Sequence, residues 1–493
     1  MIKEYPAMLR KIRIVLASLF FVGITLLFLD FTGALHLYLG WMAKVQFLPA
    51  VLALNVGVVV LLLVVTLLFG RVYCSVICPL GVMQDCFSWL GGKVKKNRFH
   101  YHKAHNILRY VVLGVFVLLM VFGLGSIAAL IAPYSAYGRV ATEIFQPAYR
   151  GINNLLALLS ERADSYAFYN VDVWVKSGVT LVVAIVTFAV MGILSFRWGR
   201  LWCNTICPVG SFLGLVSRFA IFRPVIDTDK CVGCRKCERN CKAQCIDFEH
   251  HTVDTSRCVA CMDCLSNCKE GAIKMGRTSS AGSTDKTDGT DPSRRKFLAT
   301  TAAVGAGMAL QAQEKRVDGG LATLQRRQQP ERRVPLKPFG AQGLKHFSSH
   351  CTACQLCVSE CPHRILRPST DLTTLMQPEL GFEHGFCPPD CTRCSQVCPT
   401  GAIKPIDPED KSAISIGHAV TLPDNCLLSQ GVSCNACSRH CPTGAIQVMP
   451  GNEHPVVSVN EAACIGCGAC EYYCPARPVG AIYVEGRNVH TKI

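Results

Sequence analysis

Residues 71–81 read RVYCSVICPLG and residues 200–210 read RLWCNTICPVG. In each copy an Arg leads, two cysteines stand four apart, Pro follows the second cysteine, and Gly comes two residues after the Pro. Each copy also follows an apolar run. Working outward, runs near the ~20 residues that cross a bilayer fall at roughly 14–34, 47–69, 110–132 and 177–196. The pattern is an internal repeat: two spans and a cysteine box, then two more spans and a second box. Lys3, Arg10, Lys11 and Arg13 precede the first run, and the loop 91–109 carries Lys93, Lys95, Lys96, Arg98, Lys103 and Arg109. Positive charge marks the cytoplasmic side, so both boxes are expected at the inner face. Residues 133–176 then face outward, with GINNLLALLS (151–160) along the interface.

The 493 residues are 50% hydrophobic with a net charge of +16, but these averages join two regimes. Apolar residues crowd the part before 222, and most of the 30 cysteines lie after it. A chain this long is not a small disulfide scaffold, and the basic charge belongs to the membrane flanks, so nucleic acid is not an expected partner. No C-x-x-C-H haem box occurs. The glycines of AVGAGMA lie in a segment that does not follow a strand, so they do not make a nucleotide fingerprint.

Six groups of four account for 24 cysteines. Two are C-x2-C-x2-C-x3-C runs, Cys231, Cys234, Cys237, Cys241 and Cys258, Cys261, Cys264, Cys268. In the bacterial ferredoxin run the fourth cysteine serves the other cluster, which gives one [4Fe–4S] set of Cys231, Cys234, Cys237 and Cys268. The other set is Cys258, Cys261, Cys264 and Cys241. Lys, not Pro, follows Cys241 and Cys268. Zinc is the rival ligand for paired C-x2-C units, but four cysteines in eleven residues, twice, favour clusters. Cys245 is left over and reads as a small core residue.

Four more groups follow: Cys351, Cys354, Cys357, Cys361; Cys387, Cys391, Cys394, Cys398; Cys426, Cys434, Cys437, Cys441; and Cys464, Cys467, Cys470, Cys474. All end in Cys-Pro, and GAI recurs at 401–403, 444–446 and 480–482. They supply four further [4Fe–4S] clusters, six in all, with adjacent and nested pairings of the fourth cysteines both open. A series of clusters points to electron transfer.

Between the two cysteine-rich parts, GRTSSAGSTDKTDGTDPS reads as a flexible linker. SRRKFL at 293–298 then leads a short apolar stretch, as in a twin-arginine export signal lying inside a chain; a hinge with an accidental Arg pair is the alternative. The expected fold is multidomain: a four-span α-helical membrane bundle with α+β ferredoxin-like domains. The divisions are 1–222 (spans and boxes), 223–275 (two clusters), 276–292 (linker), 293–313 (signal or anchor), 314–345 (basic linker) and 346–493 (four clusters).

The four spans, the two C-x3-C-P boxes and the ferredoxin module resemble the NapH family, and also the C-terminal half of the NosR family and the MauN-type proteins. The twin-arginine segment with NCLLSQGVSCNACSRHCP and CIGCGACEYYCPARPVGAI resembles NapG, so the chain is similar to a fusion of the two in that order. The resemblance implies a bacterial inner-membrane protein that oxidises quinol and passes electrons to a periplasmic reductase or cytochrome acceptor, with the last domain outside. A maturation factor that supplies electrons to a partner metalloenzyme, or reverse flow from a cytoplasmic donor to quinone, are the alternatives. Quinol oxidation needs a proton acceptor, and ionisable groups near the membrane are the default candidates. They are Asp30, His36, Arg139 and Glu143, each with a second reading as an interfacial cap or charge. Cys74, Cys78, Cys203 and Cys207 would, if the two halves are pseudo-symmetric, converge into a site for a seventh cluster or another metal, with a redox thiol pair as the alternative.

Overall fold

The computed structural model describes residues 5–30, 32–94, 99–164, 167–277, 317–318, 322–323, 327–451 and 454–493. The twin-arginine segment at 293–313 lies outside the described residues, as does the linker 276–292 beyond residue 277.

Two of the four expected spans are unbroken helices, Tyr5–Leu29 and Gly178–Trp198, and both are long and apolar enough to cross a membrane. The other two are broken. In the second, Leu54 takes a left-handed φ of 53° and Asn55 Oδ1 accepts from Val58 N, so Phe47–Leu52 ends and Val56–Phe69 begins. In the third, Gly123 at φ 76° separates Asn106–Val121 from Gly125–Ile131. Each break is marked by a single residue, Asn55 or Gly123, in an otherwise long apolar run, which is why averaged hydropathy read both as continuous spans.

Residues 133–145, at the start of the segment 133–176, are helical and packed into the bundle. Helix Pro133–Val140 is wholly buried and runs into a π-helical turn, Ala141–Phe145, then into helix Gln146–Arg162. The buried segment packs on Tyr5–Leu29, Pro79–Val94 and Gly178–Trp198, with Tyr137 edge-on to Phe21 and Phe28. Helix Gln146–Arg162 is amphipathic. Gln146 and Ala157 are buried, whereas Ile152, Leu155, Leu156 and Leu159 are exposed.

The first ferredoxin module is closed by strand Phe222–Ile226, antiparallel to Ile273–Arg277, and carries a hairpin of Ile246–Asp247 and Thr252–Val253. The second holds three antiparallel pairs: Leu366–Pro368 with Pro378–Leu380, Ile414–Thr421 with Ile482–Lys492, and Ile446–Met449 with Val456–Val459. The isoleucine of GAI opens a strand at Ile446 and Ile482. Ile403 opens none, because Pro405 cannot donate to a ladder.

The two modules sit at opposite ends of Tyr5–Leu29. At its start Arg10 Nε lies 2.8 Å from Asp263 of the first module. Just past its end Arg393 of the second module donates to Thr32 O at 2.6 Å. The second module presses on the bundle so closely that a Cβ on Gly138 would stand 2.3 Å from Cys354 O. Buried apolar residues of the bundle and both modules join in one core.

Candidate functional site

The box residues are used in the same way twice. Ile77 N and Cys78 N both donate to Tyr73 O at 3.0 Å, and Ile206 N and Cys207 N both donate to Trp202 O at 3.0 Å. Pro79 and Pro208 then open new helices, where a missing N–H costs nothing. The two arginines cross over. Arg71 Nη2 donates to Cys203 O at 3.0 Å, and Arg200 Nη1 donates to Cys74 O at 2.7 Å. Each passes above the other box's glycine: a Cβ on Gly81 would lie 2.3 Å from Cys74 O and 2.7 Å from Arg200, and one on Gly210 would lie 2.3 Å from Cys203 O and 2.8 Å from Arg71.

This crossing brings Cys74, Cys78, Cys203 and Cys207 together, each 4% exposed. Burial pushes the Cys78, Cys203 and Cys207 thiols up, and the charge each would carry is opposed by its neighbours: Cys203 and Cys74 for Cys78, and all three others for Cys207. Gly210 N donates to Cys207 Sγ at 3.3 Å. Four buried thiols beside two buried guanidiniums (Arg71 and Arg200, each 0% exposed) form a site suited to an anionic group.

The ferredoxin runs form further sets. Cys241, Cys258, Cys261 and Cys264 line one cavity, the crossed pattern expected of the first module. Cys231 and Cys234 neighbour Cys237. In the second module Cys361 joins Cys387, Cys391 and Cys394; Cys474 joins Cys426, Cys434 and Cys437; and Cys441 joins Cys464, Cys467 and Cys470. Cys398 faces Cys351, Cys354 and Cys357. The exchange is therefore between adjacent groups, the choice left open by spacing.

The loops are built to wrap a cage. In the four compact runs the residues on either side of the second cysteine are left-handed: Gly233 and Arg235, Ala260 and Met262, Ala353 and Gln355, Gly466 and Gly468. That backbone turns successive N–H groups inward, as in an anion nest. Ala481 N donates to Cys474 Sγ at 3.2 Å, Ile403 N to Cys398 Sγ at 3.4 Å, and Lys411 Nζ to Cys387 Sγ at 3.2 Å. Among the described residues, no three His, Cys, Asp or Glu side chains are close enough to share a single ion. The cysteines fit iron–sulfur clusters better than zinc, whose tetrahedral thiolates stand only ~2.3 Å from the metal.

Two residues gain roles that spacing did not reveal. Cys245, read as core, places Sγ 3.6 Å from Cys241 Sγ and lines the same cavity as that set. Lys242, where a ferredoxin run has Pro, is buried and bridges Asp85 at 3.0 Å and Asp263 at 3.1 Å. Asp85 also binds Arg200 at 2.8 Å and pairs with Arg13. The loop 99–109, expected to serve topology, grips the first module as well: Arg109 Nη2 donates to Ser256 O at 2.7 Å, and His102 O accepts from Arg257 at 2.6 Å.

The four quinol candidates are not gathered. Asp30 accepts from Thr32 N, Thr32 Oγ1, Gly33 N and Leu35 N, which is a capping role. Burial opposes its charge, but those bonds hold its carboxyl below the usual value. His36 is pushed down by burial and by Lys44, and its Nδ1 is buried without a partner. Arg139 is spent on the carbonyls of Ala129 and Leu130, both at 3.0 Å. Glu143 has a buried Oε1 without a partner and faces Lys176, whose Nζ donates to Thr142 O at 3.1 Å and Gln146 Oε1 at 2.6 Å. Burial pushes Glu143 up and Lys176 down, each shift partly offset by the charge of the other.

Known proteins agree with this chemistry. A 4Fe-4S binding domain model matches residues 51–97 and 179–226, the two halves that carry the boxes. Models of a 4Fe-4S dicluster domain match 254–365 and 430–478. The chain is 35% identical to the methylamine utilization ferredoxin-type protein MauM of Methylobacillus flagellatus, over 31% of this chain and 70% of that one. It is 31% identical to the ferredoxin-type protein NapF of Escherichia coli, over 30% of this chain and 86% of that one. It belongs to the ferredoxin-type protein family. The ferredoxin-type protein NapH of Haemophilus influenzae is 28% identical, over 39% of this chain and 55% of that one. Two other curated relatives are covered for 27% and 48% of their own length. No solved structure matches. This ferredoxin-type chain carries 4Fe-4S binding domains together with a helical N-terminal region. The 254–365 match joins the runs 258–268 and 351–361, whereas the cavities join 361 to the 387–394 group.

Proposed function

We propose that this protein is a multi-pass inner-membrane conduit that takes electrons from quinol and delivers them to a reductase or cytochrome on the outward side. Its first half acts as a NapH-like part and its second as a NapG-like part. The observation that carries the reading is the attachment of one cysteine-rich module at each end of Tyr5–Leu29. The 22 residues Met8–Leu29 rise ~33 Å at 1.5 Å each, about the ~30 Å hydrocarbon thickness. Modules fixed at the two ends of such a helix suit opposite faces of a bilayer.

Six [4Fe–4S] clusters, held by the 24 cysteines of the ferredoxin runs, would supply one-electron transfer. Cys74, Cys78, Cys203 and Cys207 would hold a seventh. The chain's own contribution is to bury the thiolates, aim backbone N–H groups at sulfur, and fix the order of the sites. Arg71 binds both a box (Cys203 O) and Ser256 O of the first module, the latter at 3.1 Å, so the four-thiol site and that module are rigidly coupled.

The test is the full-length protein in sealed lipid vesicles, loaded with iron and sulfide and titrated anaerobically with a short-chain quinol. The expected result is bleaching of cluster absorbance, reversed by an acceptor that cannot cross the bilayer, in vesicles where protease removes the second module only from the outward face. A protein reduced by dithionite but never by quinol would end the quinol reading.

A further inference from the structure

Between the outward end of the bundle and the second module lies a cavity of about 260 Å³. Its bundle wall carries Arg150, Trp174 and Lys176, and its module wall carries Glu360, Cys361 and Arg364. One wall is therefore a ligand of the Cys361, Cys387, Cys391, Cys394 set. The other reaches the buried π-helical turn, because Lys176 caps Thr142 O and faces Glu143. Resting on the reading of this chain as a quinol-oxidising conduit, we propose that the cavity receives the quinol headgroup, with Lys176 as its polar contact and Glu143 behind it as proton acceptor.

Size, access and chemistry each point there. The volume is several times the ~30 Å³ of one liquid water, room for an aromatic diol. Access comes along helix Gln146–Arg162, whose Arg150 lines the cavity while Ile152, Leu155 and Leu159 on its other side are exposed. An amphipathic helix of this kind lies in the headgroup boundary, the depth at which a lipid-soluble carrier presents its ring. Trp174 offers a ring face, with Arg367 on it at 5.7 Å. The remaining charges at the cavity are Arg364, ion-paired to Asp172 at 2.7 Å, and Glu360, which feels Asp30 and has a buried Oε1 without a partner. π-helical turns recur at functional sites, and this one carries the buried carboxylate.

Oxidation breaks both O–H bonds of the diol and leaves the dione. Lys176 passes one proton to Glu143 and takes one from the diol, and the second proton goes to cavity water. The two electrons would leave singly to the iron–sulfur clusters that the cysteines would hold, the nearest such ligand being Cys361, which lines the cavity.

The experiment uses the full-length, cluster-loaded protein in nanodiscs and heptyl-hydroxyquinoline N-oxide, a fluorescent quinol analogue that does not donate electrons to the protein. Wild type should quench the probe at one site. Lys176→Met and Trp174→Ala should each weaken that binding tenfold or more, with iron content and dithionite-reduced spectra unchanged. Glu143→Gln should bind the probe within about twofold of wild type, yet slow quinol-driven bleaching by about a hundredfold, the usual scale for losing a general base. Cys86→Ser, at an exposed helix position, should match wild type throughout. Unchanged binding and bleaching in both Lys176→Met and Trp174→Ala would overturn the site while leaving the conduit reading intact. Wild type that quinol fails to bleach would overturn both.

Discussion

Lys242, the residue directly after the fourth cysteine of the first run, sets its ammonium 3.0 Å from the carboxylate of Asp85 in the helix that follows the first box. The contact explains why Pro is missing there: the position docks the module onto the bundle. Arg200 N also donates to Lys242 O at 2.8 Å, so backbone and side chain act together. Asp85→Asn leaves Arg200 and Lys242 as buried charges short of a partner, and breaking such a pair costs ~3–5 kcal/mol. The expected outcome is a lower thermal midpoint and faster proteolysis between residues 222 and 231, with the module's own clusters retained.

The same carboxylate sets a pH dependence. Burial opposes its charge, but Arg200, Lys242 and Arg13 outweigh that and hold it well below the usual range. A depressed folded pKa means that the stabilisation is complete above the unfolded value of ~3.9 and is lost as pH falls below it. Protease sensitivity of the 222–231 junction should therefore rise below about pH 4 in wild type and be much flatter with pH in Asp85→Asn.

The glycines of the two boxes give a steric prediction. A methyl group on Gly81 or Gly210 meets a cysteine carbonyl at 2.3 Å, backbone that cannot swing away, whereas Gly92 and Gly114 have nothing within 4 Å. Gly81→Ala and Gly210→Ala should each displace the crossing arginine and cost ~1–3 kcal/mol, the usual range for overpacking. Gly114→Ala should be neutral or slightly stabilising. Differential scanning fluorimetry of the three variants checks the ranking, and if the four thiols hold a cluster, the first two should also lose about four irons per chain.

The boxes were the most legible part of the sequence, since Arg, the paired Cys, Pro and Gly each recur because each has a contact in both copies. Elsewhere legibility followed the range of the interaction. The x2-x2 spacing of the cysteine runs is local and could be read directly. The pairing of Cys361 with the 387–394 set and of Cys441 with the 464–470 set is tertiary, and two topologies satisfy the same spacing. The breaks at Leu54–Asn55 and Gly123 are signalled by one Asn and one Gly inside long apolar runs, so averaged hydropathy passed over them. Lys176 gave no signal at all: one Lys in a polar loop is ordinary until Thr142 O and Gln146 are found around it.

That tertiary pairing gives the last prediction. Cys441 lines the cavity of Cys464, Cys467 and Cys470, and Cys474 lines that of Cys426, Cys434 and Cys437. Cys441→Ala should therefore damage the cluster of the following group and spare that of its own, while Cys474→Ala should do the converse. The two sets differ in environment. Glu471, beside Cys470, is buried and bound to Arg332 at 2.6 Å, whereas Cys434 stands on the more open loop 427–436. The two clusters should therefore be separable by potential in a redox titration followed by electron paramagnetic resonance. Loss of the same signal in both variants would mean that the two cysteines serve one cluster, and the adjacent exchange would fail. Cys245→Ala belongs to the same titration as a contrast. Its thiol lies beside Cys241 Sγ without completing any set of four, so it should keep every signal and shift only that of the Cys241, Cys258, Cys261, Cys264 set, to lower potential, because a hydrogen-bond donor to ligand sulfur is one of the levers on cluster potential.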